Sequence, residues 1–293
     1  MNQPYIIFSD ISADIPPSFM KENDIRFVPM HYCVGEQDRV CSQAEDEDFL
    51  KQFYEKQRNG ELTRTSQISP QTYIDVFRPI LQKGQSILYL SLSSGISGTY
   101  NSSCMVSEEL KEEGCPGELV CVDSLAATVG MGILLEAAVK NRENGMSLKE
   151  NAKWLEENRL RVCHWFMVED LMYLKRGGRV SAATALVGTA LNIKPILKIE
   201  NDGTLRNFTK ARGSKSALNK LLELYKTSTE GGTGERIYVV HADNEENANY
   251  LEQELKKINP SCNISKVFLN PIIGSHTGPG LSAIVHFGKR ENV

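Results

Sequence analysis

Three short, almost uninterrupted apolar runs set the main constraint on this chain: YIIFS at 5 to 9, SILYLSL at 86 to 92 and ELVCVD at 118 to 123. Runs this brief, without polar alternation, suit strands covered on both faces, which is the condition of a parallel sheet between helix layers. Each run leads into a polar turn. The segment EDEDFLKQFYEKQRNG (45 to 60) begins acidic, ends basic and closes on Gly60, the charge order that a helix dipole favours. SPQTYIDVFRPILQKG (69 to 84) starts at Ser69-Pro70, places Tyr73, Phe77, Ile80 and Leu81 on one helical face, and has Pro79 as a kink point. With a further helix over GMGILLEAAVKNRENG (130 to 145), the order β-α-β-α predicts a doubly wound α/β domain.

Beyond about residue 160 the rhythm changes. RVCHWFMV (161 to 168) reads as a strand, and KPILKIENDGTLRNFTKARG (194 to 213) as two antiparallel strands joined at Asn201-Asp202-Gly203. A helix over SKSALNKLLELYKT, a loop at TEGGTGE, a strand at RIYVVHAD (236 to 243) and a helix at NEENANYLEQELKK (244 to 257) complete a mixed α+β pattern. The expected division is therefore 1–160 and 161–293, with the boundary between Asn158 and Val162. Residues 61–69 (ELTRTSQIS) are a segment that can cross back to the second domain.

Composition narrows the function classes. A net charge of −4 supplies no general field for phosphates, so nucleic-acid binding is not expected. The seven cysteines are scattered with no C-x-x-C pair and no histidine at metal spacing, which reads as reduced thiols and no metal site. The N-terminus lacks a basic leader, and no run reaches the ~18 apolar residues of a membrane span, so a cytoplasmic location is expected.

Chemistry concentrates in three donor-rich stretches. SSGISGTY (93 to 100) follows a parallel-type strand and precedes a helical pattern, which places it at the carboxyl end of a sheet, where ligands bind. Glycines there admit close backbone approach, and free N–H groups with serine hydroxyls suit an anion such as a carboxylate or phosphate. A tight turn whose serines only cap a helix explains the same residues. No G-K-[ST] follows, and Gly95-Ile96-Ser97-Gly98-Thr99 lacks the final glycine of a nucleophile elbow. TRTSQIS (63 to 69) adds Thr65, Ser66 and Ser69, and GSHTGPG (274 to 280) places His276 and Thr277 in what reads as a glycine-rich loop. Asp10 of FSDISADIP and Asp123 of VDS stand at strand ends, where they read as capping carboxylates that hold neighbouring loops rather than as metal ligands.

FSDISADIP, TSQISP, SSGISGTYNS, VDS, LKRGGRVS, LNIKPIL, GTLR and HTGPG, in this order from residue 8 to residue 280, resemble the DegV family. The resemblance implies an N-terminal parallel-sheet α/β domain, a C-terminal α+β domain and a long-chain fatty acid held between them. It implies a lipid-binding protein rather than an enzyme, presenting the acyl carboxylate to a separate fatty acid kinase for acyl phosphate formation. Carried over, the carboxylate donors are Thr65, Ser93, Ser94, Ser97, His276 and Thr277, with Ser94 and Ser97 preferred among the serines. Ile11 and Ile96 depart from the family pattern, the first leaving the role of Asp10 less defined.

An acyl tail supplies binding energy of roughly 0.8 kcal/mol per buried CH2, and a buried carboxylate then requires hydrogen bonds. Apolar walls are expected from ALVGTALNIKPIL (185 to 197), which equally suits plain core packing. In LKRGGRVS, Lys175, Arg176 and Arg179 form a basic patch that is either a solvated helix end or, as the resemblance implies, a docking surface for the kinase. Two other classes use the same loops: a lipid-responsive regulatory protein and an acyl- or phosphoryl-transfer enzyme.

Overall fold

A computed structural model describes residues 5–181 and 192–290. The chain begins with β1 (Tyr5–Asp10), a 3-10 turn at Ile11–Ala13, α1 (Pro17–Glu22) and β2 (Ile25–Val28). Two strands follow, β3 (Met30–Val34) and β4 (Gln37–Cys41), then α2 (Glu47–Arg58), β5 (Thr63–Thr65) and α3 (Pro70–Leu81). Next come β6 (Ser86–Ser91), α4 (Thr99–Glu112), β7 (Leu119–Asp123), α5 (Val129–Glu143) and α6 (Leu148–Asn158). Strands β1, β2, β6 and β7 form a wholly parallel sheet in the order β2-β1-β6-β7. Every residue of β1 is buried, as its unbroken apolar run requires.

The helices start where their caps dictate. The Asp46 carboxylate accepts the Phe49 N–H (2.8 Å) at the head of α2, and the Ser69 hydroxyl accepts the Thr72 N–H (3.1 Å) at the head of α3. Helix α3 continues through Pro79 to Leu81.

The second half contributes β8 (Val162–Met167), α7 (Met172–Arg176), β9 (Ile193–Ile199), β10 (Leu205–Arg212) and α8 (Ser214–Ser228). It continues with β11 (Arg236–His241), α9 (Glu245–Ile258), β12 (Asn263–Phe268), α10 (Pro271–Thr277) and β13 (Ser282–Phe287). Its sheet runs β10-β9-β8-β13-β11-β12, antiparallel except for the β11–β12 pair. The β9–β10 hairpin turns at Asn201-Asp202-Gly203, where the Glu200 N–H donates to the Thr204 carbonyl (2.9 Å) and Gly203 takes φ 79. The fold is thus a parallel-sheet α/β layer joined to a separate mixed sheet. Among the described residues no helix is long and apolar enough to cross a membrane.

Two elements differ from the sequence reading. Residues 25–41, which carry no strong pattern, supply β2 and then β3 and β4, and the latter two join β5 in a small antiparallel sheet ordered β4-β3-β5. The stretch 274–280 is not simply a glycine-rich loop. Asn270 caps a helix there, its Oδ1 accepting the Ile272 N–H (2.8 Å) and the Ile273 N–H (3.3 Å), and Pro271 fills the first position. Gly274 sits inside that helix, which stops only at Gly278 (φ 74). A cap and a proline upstream outweigh one helical glycine, whose cost is about 1 kcal/mol.

Candidate functional site

The turn after β6 is shaped by carboxylates. Asp10, fully buried at the end of β1, accepts the Leu92 N–H (2.7 Å) and the Ser12 N–H (3.1 Å), and also the Ser12 hydroxyl. Asp123, at the end of β7, accepts the Ser94 N–H (3.1 Å) and the Leu125 N–H (3.1 Å). Both therefore spend their charge on backbone donors of neighbouring loops, in keeping with the capping role read from the sequence. Burial pushes the Asp10 carboxyl above the ordinary range, while these hydrogen bonds pull it down.

The serines behave differently from one another. Ser93 is buried; its hydroxyl donates to the Gly203 carbonyl (2.8 Å) and accepts the Gly95 N–H (3.2 Å), tying the turn to the β9–β10 hairpin. Its one proton is thus engaged within the protein. The Ser97 hydroxyl lies 2.8 Å from that of Thr99 at the start of α4. The half-buried Ser94 hydroxyl has no hydrogen-bond partner among the described residues.

The second donor stretch reaches the third. Thr65, on β5, is paired with Tyr32 of β3, and its Oγ1 lies 2.7 Å from Nε2 of His276 in the last turn of α10. Three hydrogen bonds hold this approach: the Thr63 hydroxyl donates to the Ser275 carbonyl (2.9 Å), and the Gln57 amide donates to both Thr63 Oγ1 (2.8 Å) and the Gly274 carbonyl (3.0 Å). Gln67 of the same stretch packs on Gly98, where a Cβ would come within 2.2 Å of its side-chain oxygen. The glycine there serves contact between the two donor-rich loops.

His276 is held neutral. Burial, then the charge of Arg179, pushes its imidazole down to about 4. Its Nδ1 is buried without a partner among the described residues. Against Nδ1 sits Gly177, where any Cβ would approach within 2.2 Å, so the glycine after α7 lets that helix close on the ring. Arg179 follows, its Nε donating to the Ile96 carbonyl (3.1 Å) and its Nη1 to the Gly177 carbonyl. Burial lowers its pKa.

Arg179, His276, Thr277 and Ile96 border a cavity of about 60 Å³ whose other walls include Phe166, Leu174, Ile199, Leu205, Val240 and Val285. The surface that these residues expose to the cavity is apolar throughout. Thr65 joins through His276, whereas Ser93, Ser94 and Ser97 approach through the Ile96 backbone without lining it. The Thr277 hydroxyl donates to the Ile273 carbonyl (3.3 Å). Lys175 and Arg176 stand away from the cavity on α7, the Arg176 guanidinium lying over the Tyr173 ring (4.6 Å). Arg179 thus borders the cavity, whereas Arg176 is held on its own helix, its Nε donating to the Met172 carbonyl (3.3 Å).

Of the apolar segment expected to form walls, residues 185–191 lie outside the described residues. In the remainder Ile196 and Leu197 are fully buried core, and the hairpin's contributions to the cavity come from Ile199 and Leu205 instead. Sequence reasoning also passed over Phe166 and Val285, since one face of a doubly covered strand carries no mark that distinguishes cavity from core. Gln67 was legible as part of the TSQ stretch, but its contact with Gly98 was not.

A family model described as "Uncharacterised protein, DegV family" matches residues 5–289. The chain belongs to the DegV family. A DegV domain-containing protein of Clostridium perfringens is 36% identical over 284 residues, covering 97% of each chain. The structure titled for fatty acid binding of a DegV family protein from Thermus thermophilus superimposes with a TM-score of 0.85 at 29% identity, covering 98% of this chain and 100% of that one. The Streptococcus pneumoniae fatty acid kinase (Fak) B3 protein, loaded with linoleic acid, shares the fold with a TM-score of 0.83 at 22% identity, covering 98% of this chain and 100% of that one.

Proposed function

We propose that this chain binds a long-chain fatty acid, with the tail in the cavity and the carboxylate at Thr65 and His276, and presents it to a separate fatty acid kinase. The observation that carries the reading is the Thr65–His276 pair at the His276 end of an apolar cavity, which His276 borders and Thr65 reaches through it. The pair offers a hydroxyl and an imidazole nitrogen, while Arg179 adds positive charge beside them. Such an end satisfies a carboxylate, whose burial without hydrogen bonds is costly. The cavity is narrow against the ~300 Å³ at which ligand pockets commonly begin, so an entering chain must displace wall side chains.

Support from relatives is specific to the lipid. The Thermus thermophilus protein binds a fatty acid, and the pneumococcal protein is named as part of a fatty acid kinase. Under this reading the chain divides near residue 160 and the lipid lies between the two parts: Ile96, Ala127 and Thr128 line the cavity from one side, and residues from His164 onward from the other. Ser94 and Ser97 act from the turn, and Lys175 and Arg176 meet the kinase. The protein works in the cytoplasm as an accessory subunit.

A transferase reading would make Thr65 a nucleophile activated by His276. That role needs a third group on Nδ1 to orient the ring, and Nδ1 faces Gly177 instead. The test is mass spectrometry of lipid extracted from protein purified from a bacterial host. About one fatty acid per chain is expected, because an enclosed apolar site releases its ligand slowly. Protein without lipid that also fails to take up added oleate overturns the reading.

A further inference from the structure

The FSDISADIP stretch contributes more than Asp10. Asp14 ends the 3-10 turn in the left-handed region (φ 50), and its carboxylate joins two distant segments. Oδ1 accepts the backbone N–H of Asn270 (3.1 Å), and Oδ2 accepts the Thr128 hydroxyl (2.7 Å). Asn270 is the cap of α10, and its Nδ2 donates to the Ile11 carbonyl (3.0 Å). Thr128 heads α5 at φ 49, a strained conformation for a residue of its kind that only surrounding contacts maintain.

Both tied segments line the acyl cavity: Thr128 on one side, and Ile273, His276 and Thr277 of α10 on the other. Asp14 itself lies outside it, against a separate groove of about 490 Å³. From its carboxylate to His276 the path runs through one cap and less than two turns of helix. Asp14 is partly buried, and desolvation pushes its carboxyl up to about 7 despite its hydrogen bonds, so the position costs more than a solvated carboxylate would.

Resting on the lipid-binding reading, we propose that Asp14 is a positioning residue of the carboxylate site: it clamps the start of α10 to the start of α5 and so sets where His276 meets the ligand head. The amide of Asn reproduces the clamp, accepting from Asn270 with its oxygen and donating to Thr128 with its nitrogen. Alanine removes both arms.

The experiment removes co-purified lipid and then titrates palmitic acid and methyl palmitate into wild type, Asp14→Ala, Asp14→Asn and Thr128→Val, with mass spectrometry to show the sites empty at the start and a thermal melt on each. Asp14→Ala is expected to weaken binding of the free acid by about tenfold while changing the ester by less than about threefold, and Asp14→Asn to restore the acid preference. A merely structural Asp14 lowers the melting temperature and weakens both ligands alike, which overturns the proposal. Should Asp14→Ala not fold, Thr128→Val decides, since it removes one arm only: an unchanged acid-over-ester preference there rejects the clamp. A wild type that binds neither ligand rejects the lipid reading itself, a distinct result.

Discussion

The turn at 93–98 and the Thr65–His276 contact are equally rich in donors on paper, yet they differ in what remains to offer a ligand. In the turn, Ser93 is spent on Gly203, Ser97 is paired with Thr99, and the N–H groups of Leu92 and Ser94 are held by Asp10 and Asp123, so among the described residues the Ser94 hydroxyl is the side-chain donor left without a partner there. At the other place a hydroxyl and a neutral imidazole lie 2.7 Å apart beside a half-buried guanidinium, with one ring nitrogen unpaired among the described residues. Density of small polar residues therefore measures how much backbone must be fixed as often as it measures binding capacity. The turn is a frame, and the contact is what the frame holds up.

The largest effect follows from breaking the frame. Asp10→Ala leaves the Leu92 and Ser12 N–H groups and the Ser12 hydroxyl without their acceptor in a buried place, so unfolding stability should fall by about 3 kcal/mol. Urea denaturation measures this. A loss below about 0.5 kcal/mol, the size usual for surface changes, would mean that the turn holds itself.

Next in size is a pH effect that separates the two regions. The His276 imidazole sits at about 4 in the folded chain against an ordinary value near 6.5, so between those values the unfolded chain binds the extra proton. Its contribution to stability is present above pH 6.5 and is lost as pH falls toward 4. Asp14, raised to about 7, works in the opposite direction, binding its proton in the folded chain and losing stability as pH rises from about 4 to 7. His276→Gln should therefore remove a slope of up to about 1.4 kcal/mol per pH unit relative to wild type. Parallel stability curves for the two proteins between pH 4 and 6.5 would show the ring to be protonated as readily folded as unfolded.

How far the sequence reveals this division depends on what kind of information each part needs. The parallel sheet is legible because strands buried on both faces cannot carry polar residues, and YIIFS and SILYLSL show it directly. The helices are legible through Asp46, Ser69 and the charge order of α2. Strands β3 and β4 are not: QDRVC is mostly exposed, and MHYCV, buried except at His31, packs there by pairing both with it and with Thr63–Thr65 far along the chain. For the candidate site, motifs name Thr65 and His276, but their meeting spans 211 positions and rests on Gln57, which no motif marks. Whether a serine's proton is free depends on a carbonyl from another sheet, as Ser93 and Gly203 show.

A sharper version of the comparison pairs Thr65→Val with Ser93→Ala. The first removes a hydroxyl from the ligand end, so it should weaken palmitic acid about tenfold and its methyl ester far less. The second should cost about 1 kcal/mol of stability and leave the acid-over-ester ratio near wild type, because its hydrogen bond is internal. Binding titrations with both ligands and a urea melt on each variant distinguish the roles. If Ser93→Ala shifts the ratio as much as Thr65→Val, the turn is part of the ligand site and the contrast between frame and contact collapses.

The smallest expected effect concerns the outward face of α7. Arg176 is exposed and Lys175 partly so, and neither borders the cavity, whereas Arg179 does, with Nε on the Ile96 carbonyl. Lys175→Ala and Arg176→Ala together should leave fatty-acid affinity within about twofold, since the energy of tail burial and the head-group bonds are untouched. Acyl phosphate formation with a fatty acid kinase and ATP should fall a few-fold, chiefly through slower association, and added salt should reduce wild type toward the variant because exposed charges are screened within about 10 Å at 0.1 M. Arg179→Ala, by contrast, should lower affinity as well as turnover, because it removes charge beside the carboxylate. Equal turnover for wild type and the double variant at low salt would show that the kinase approaches elsewhere, and would leave Arg179 as a ligand-end residue alone.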